Sequence, residues 1–159
     1  MKLIDKIKKN TIILPFDSNN QKNSIQKLLN HLLSEGYLTS TAKLFSSLEN
    51  QDETIGSAVG RGIAYHHSIS GEITEMVAIL GISKSGIDYK SPDKQKVHFT
   101  LLILDSINEP NYHRKFIKRF QKFINDSNMK TKILDCAFKD EVFHIIEDWE
   151  NQYLLKEGI

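Results

Sequence analysis

A single cysteine, Cys136, is all that this chain of 159 residues contains. That excludes an internal disulfide framework and any zinc site built on several cysteines. Proline is almost as scarce, at three residues, and no stretch rich in proline and glycine marks a linker between domains. No apolar run approaches the ~20 residues that a membrane-spanning helix needs, so membrane insertion is not expected. The opening Met1-Lys-Leu-Ile-Asp-Lys-Ile-Lys-Lys-Asn10 lacks the apolar core of a signal peptide. An excess of charge of one sign is missing too: Lys plus Arg number 21 and Asp plus Glu 20, a formal net charge of +1. Proteins that grip a phosphate backbone carry a strong basic excess, so no nucleic-acid partner is expected. The 40% of hydrophobic and 26% of charged residues sit near the globular average, which argues against disorder or a fibre. One cytoplasmic domain over residues 1–159 is the expectation, since single cores commonly span roughly 100–200 residues.

What is present reads as an alternation of helices and strands. Thr11-Ile-Ile-Leu14 is a short strand or extended lead-in, closed by Pro15. Asp17, Ser18, Asn19 and Asn20 offer helix-capping side chains. Ile25, Leu28, Leu29, Leu32 and Leu33 then recur at helical spacing before Gly36, which suits a left-handed cap. Ser40 or Thr41 can cap a second helix carrying Leu44, Phe45 and Leu48. Gly56, Gly60 and Gly62 imply tight turns feeding a short strand from Ile63 to His67. Met76–Ile82 and Val97–Leu104 are apolar runs of strand length, separated by a polar segment, Ser83 to Lys96. A helix starts near Asn111 with Phe116, Ile117, Phe120, Phe123 and Ile124 inward, and a last one near Asp140 with Val142, Phe143, Ile146 and Trp149. This order predicts an α/β sandwich with a mixed central sheet flanked by helices. With no helical crossover between them, the runs at 76–82 and 97–104 are expected to pair antiparallel.

The segment that carries chemistry is Gly56-Ser-Ala-Val-Gly-Arg-Gly-Ile-Ala-Tyr-His-His67. A histidine at a strand end, near N–H groups freed by glycine, suits a nucleophile that carries an anionic group. Imidazole attacks when neutral, which its ordinary pKa of ~6.5 allows at neutral pH. Nearby backbone N–H groups and hydroxyls can hold phosphoryl oxygens.

The same segment resembles the enzyme IIA domains of the bacterial phosphotransferase system, of the fructose/mannitol and nitrogen-regulatory type. Their signature reads roughly S-T-G-I-G-x-G-[IV]-A-I-P-H, matched here at Gly60, Gly62, Ile63, Ala64 and His67, with Ser57 keeping the hydroxyl of the threonine. Leu28–Leu38, Gly86-Ile-Asp-Tyr89 with Asp93 and Val97, and Leu101–Leu104 followed by His113 extend the likeness over about residues 4–150. The resemblance implies that His67 accepts a phosphoryl group from an HPr-type phosphocarrier protein and passes it to an enzyme IIB domain or keeps it as a signal. It implies His113 as the second histidine, stabilising the phosphoryl group, and Ser57 as a supporting hydroxyl. The turn at Gly60, Arg61 and Gly62 would bind phosphoryl oxygens. No cofactor and no metal are implied, and the chain counts as a phosphotransferase only if His67 is active. A chain lacking a membrane segment and a IIB domain is expected to be a free-standing module, which favours a regulatory role.

The sequence departs from the signature where His66 replaces the proline and Tyr65 the isoleucine. Losing proline frees φ and restores an N–H. Strand alternation should turn His66 away from His67. The alternative function is therefore a non-phosphorylated binding module of the same fold. Arg114, Lys115, Lys118, Arg119 and Lys122 read as the solvated face of an amphipathic helix or as a docking face for an acidic partner. His98 reads as a sheet-face residue, and a zinc site of His66, His67 and His113 lacks a carboxylate or cysteine at ligand spacing.

Overall fold

Side chains alternate across a strand, and the two longest strands use that alternation to divide the hydrophobic residues between two layers. The computed structural model describes residues 1–55 and 58–158. In β4 (Val77–Ile87) and β5 (Val97–Ser106), Ala78, Leu80, Ile82, Phe99, Leu101 and Ile103 face one core, whereas Val77, Ile79, Leu102 and Leu104 face the other. With β1 (Ile12–Ile13), β2 (Ala58–Gly60) and β3 (Ile63–Ser70) they form a five-stranded sheet in the order β1-β4-β5-β3-β2. The sheet is mixed: β4 runs antiparallel to β5, as the missing crossover implied, while β1 pairs with β4 and β3 with β5 in parallel.

Helices cover both faces. α1 (Leu3–Lys6), α4 (His113–Asn125), α5 (Met129–Leu134) and α6 (Lys139–Lys156) close the first core. Phe116, Phe120 and Phe123 of α4 lie fully buried there, each side chain contributing roughly 1.5–3 kcal/mol. α2 (Gln21–Ser34) and α3 (Ala42–Ile55) close the second core. α2 starts where the Asn20 side chain accepts from the Asn23 N–H, and its Ile25, Leu28, Leu29 and Leu32 point inward. Gly81 of β4 admits the ring of Phe16: a Cβ built there would lie 2.6 Å from its Cδ2.

Two strands outrun the sequence reading. β4 continues through the polar Ser83, Lys84 and Ser85 to Ile87, its register with β5 slipping between Ile82 and Ile87. β3 continues past His67 to Ser70 because its backbone stays in parallel register with β5, from Ile63↔Phe99 to Ser70↔Ser106. The short helices α1 and α5 are additions that the sequence pattern did not signal. A buried carboxylate ties α1 down: Glu150 of α6 accepts from the Leu3 N–H at 2.7 and 2.9 Å and from Arg119 at 2.9 Å. Arg119 therefore leaves the solvated face of α4 and also covers the Tyr153 ring, 5.0 Å from its centroid. Among the described residues, no helix is long and apolar enough to cross a membrane.

Candidate functional site

Parity along β3 separates the two adjacent histidines. His67 shares the α4 side of the sheet with Ile63 and Tyr65, while His66 points to the opposite side. There His66 is buried, its Nε2 3.0 Å from the Tyr89 hydroxyl. Tyr65 packs edge-on against Phe120, and burial pushes its phenol up to about 12, so it stays neutral.

The neighbour of His67 is Asp105. Its carboxylate follows Phe99, Leu101 and Ile103 at alternating positions on the same face of β5, and it is fully buried. His67 Nε2–H donates to Asp105 Oδ2 at 2.9 Å. The chain leaves β5, and eight residues after Asp105 the first residue of α4 returns to the same oxygen: His113 Nδ1–H donates to Oδ2 at 2.5 Å. The two imidazoles stack, with centroids 3.6 Å apart and planes 23° from parallel. One carboxylate oxygen thus orients both rings, and Asp105 Oδ1 is buried without a partner. Burial is the largest influence on His67 and holds its pKa below the ordinary 6.5; the hydrogen bond it donates to Asp105 opposes this, His113 adds to it, and the Asp105 charge opposes it again. The lowered pKa favours the neutral ring at neutral pH, the Asp105 hydrogen bond orients it, and with its side chain 29% exposed it is reachable.

Asp105 was missed in the sequence reading, although a signal existed. It continues the period-2 pattern of β5, and a charge on a core-facing strand position needs a partner.

The structure brings His67 and His113 together and leaves the other anticipated residues elsewhere. Gly60, Arg61 and Gly62 form a left-handed turn, with φ of 88°, 58° and 79°, at the opposite end of β3. A strand advances ~3.3 Å per residue, so Gly62 lies roughly 16 Å along it from His67. The assignment of this turn to phosphoryl binding is therefore corrected. The Arg61 N–H donates instead to Asp93 at 2.8 Å, its carbonyl accepts from Lys130 at 2.9 Å, and the Gly62 carbonyl accepts from the N–H groups of His98 and Phe99. Ser57 lies outside the described residues. His98 is the sheet-face residue expected, 2.8 Å from the Ser83 carbonyl.

His67, Asp105 and His113 present three metal-ligand atoms within 4.8 Å of one another. A bound ion must lie near the plane of each imidazole at ~2.0–2.1 Å from its nitrogen. Stacked, nearly parallel rings do not share such a point, so this arrangement is that of a hydrogen-bonded cluster. Its open edge carries two exposed apolar side chains, Ile69, which pairs with Asp105 in register, and Ile107, just beyond β5.

The family described as "Phosphoenolpyruvate-dependent sugar phosphotransferase system, EIIA 2" matches residues 5–149. The chain belongs to this family. Among curated proteins, the EIIA chain is 25% identical over 146 residues to the fructose-specific EIIABC component of Bacillus subtilis. That match covers 92% of the EIIA chain and 23% of the relative, so the chain spans about a quarter of that protein's length. Solved structures agree in fold. The nitrogen regulatory protein IIA-Ntr of Neisseria meningitidis superposes with a TM-score of 0.77 at 16% identity, covering 87% of this chain and 94% of that one. The mannitol enzyme IIA of Escherichia coli, solved in complex with phosphorylated enzyme IIB, gives 0.74 at 14% identity, covering 90% and 98%.

Proposed function

We propose that this EIIA chain is a phosphoryl carrier that accepts a phosphoryl group from a phosphorylated HPr-type protein on His67. It then passes the group to a IIB partner or holds it as a regulatory signal, working in the cytoplasm where that donor operates. The observation that carries this reading is the neutral, partly exposed His67 ring stacked on His113 above a buried carboxylate. Transfer between two imidazoles is an in-line displacement on phosphorus, in which the protein positions groups and offsets charge. Asp105 orients both rings and compensates the positive charge that His67 acquires on attack. His113, its Nδ1–H held by Asp105 and its ring stacked on His67, stands beside the incoming phosphoryl group. Ile69 and Ile107 give the partner protein apolar contacts at the rim.

Intact-protein mass after incubation with phosphoenolpyruvate, enzyme I and HPr tests this directly. The expected result is an acid-labile gain of one phosphoryl group, lost in His67→Ala and retained in His66→Ala. His113→Ala should slow the gain by on the order of a hundredfold, as the loss of one preorganised hydrogen-bond donor does elsewhere. An anionic Asp105 beside the acceptor, together with the change from proline to His66, favours a second reading, a binding module that is never phosphorylated. No mass gain with a cognate donor would leave that reading and sink the first.

A further inference from the structure

We propose that the outward face of α4 is a docking surface for a protein that presents a row of carboxylates. The proposal stands on charge and geometry, and holds whether or not His67 is phosphorylated. Five of the 21 basic residues lie on α4 and none of the 20 acidic ones, so the rest of the chain is net negative. Arg119 is spent inside the protein on Glu150, and the Lys122 amine donates to the Tyr153 hydroxyl at 2.9 Å. Arg114, Lys115 and Lys118 are exposed, and no side chain among the described residues pairs with them. Folding does not account for these cations. Arg114 and Lys115 stand in the first turn of α4, where the positive end of the helix dipole repels them. Arg114 and Lys118, and again Lys118 and Lys122, lie four residues apart on one face, which sets like charges against each other. Repulsion kept without an internal partner is a local rule broken for an external one.

The dimensions of the stripe select its occupant. From Arg114 to Lys122 it is roughly 12 Å long. Gln121 and Asn125 are its other exposed side chains, so it offers nothing apolar to enter lipid. A membrane plane or a nucleic-acid strand would reach beyond it and meet a chain whose remainder is net negative. A short row of carboxylates on a protein surface matches the stripe in length and sign, and quenches its repulsion. The stripe begins at the residue after His113, so a partner seated on it lies beside the histidine–carboxylate cluster.

Nitrogen-15 NMR of the intact chain, titrated with an oligoglutamate peptide of about ten residues, tests this; the extended peptide outreaches the stripe. Amide shifts should cluster on residues 114–122. Raising the ionic strength from about 0.01 M to about 0.1 M, which cuts the screening length from ~30 to ~10 Å, should weaken binding severalfold. Lys115→Glu combined with Lys118→Glu should weaken it by about tenfold or more. Both positions are exposed, and an acidic first turn suits the helix dipole, so this variant folds. Lys84→Glu combined with Lys90→Glu, exposed on β4 and just after it, changes net charge equally and should leave binding unaltered. Equal weakening by the two pairs would overturn the proposal, showing attraction to net charge alone. Shifts spread away from α4, or none at all, would overturn it too. Tighter binding through the same residues to phosphatidylglycerol vesicles or to a single-stranded oligonucleotide would overturn it in favour of a membrane or a nucleic acid. None of these readouts involves phosphorylation, so their failure leaves the carrier function standing.

Discussion

Replacing Glu150 by alanine should be among the most damaging single changes to this fold, although the residue lies far from His67 in sequence. The Leu3 N–H, fully buried, would lose the acceptor at 2.7 and 2.9 Å, which costs about 1–3 kcal/mol for one unsatisfied donor. Arg119 would lose its partner at 2.9 Å, but its side chain is 19% exposed and keeps the Tyr153 ring, so re-solvation limits that loss to about 1 kcal/mol. The truncated methylenes leave space between α1, α4 and α6 that adds about 1 kcal/mol. The total, about 3–5 kcal/mol, matches the usual penalty for breaking a buried ion pair from one side. Native domains hold only about 5–15 kcal/mol, so this removes a large share of stability. For a chain of this length it should lower Tm by roughly 10 °C. Urea unfolding followed by circular dichroism measures it, with the Arg119→Met, Glu150→Leu pair expected to lose less than Glu150→Ala alone. A loss below about 1 kcal/mol in Glu150→Ala would refute the account of a carboxylate fastening three helices.

The pH dependence of His67 has a definite sign. Burial holds its folded pKa below 6.5, so the unfolded chain binds the proton first, and the stability this group contributes above 6.5 is lost as pH falls from there through the folded value. An NMR titration of the His67 ring should give a midpoint below 6.5, with a higher midpoint counting against the burial argument. Gly81→Ala should cost roughly 1–3 kcal/mol, because the new methyl would sit 2.6–3.0 Å from ring atoms of the buried Phe16; denaturant melts that match the parent protein would refute this.

Much of the frame could be read in advance because one physical rule governed each part. The leucine stripe of α2 has a single helical period, and the runs that became β4 and β5 are too apolar to lie anywhere but a sheet. His67 stood out through the glycines before it. Those same glycines misled, because closeness in sequence was taken for closeness in space. Along an extended strand, five residues separate groups by about 16 Å. Asp105 escaped notice because a charge closing an apolar run looks like the end of a strand, whereas β5 carries it inward to meet two histidines. β3 outlasted its expected end because Ser68 and Ser70, polar by composition, are buried on a strand whose backbone is held by β5. α1 and α5 are too short for any periodicity to declare them.

The parallel pairing of β3 with β5 has a kinetic consequence. His67 meets a carboxylate 38 residues away in sequence, across a parallel strand pair, while the intervening β4 lies on the far side of β5. Non-local parallel pairs are intrinsically slow to form, since loop closure has to precede the contacts that reward it. His67 therefore comes into register with Asp105 and His113 only once β3 and β5 have paired. On the carrier function proposed above, a chain that has collapsed without that register would present an unoriented imidazole to its donor. Phosphorylation of His67 would then report the completed native topology, labelling finished molecules and passing over unfinished ones.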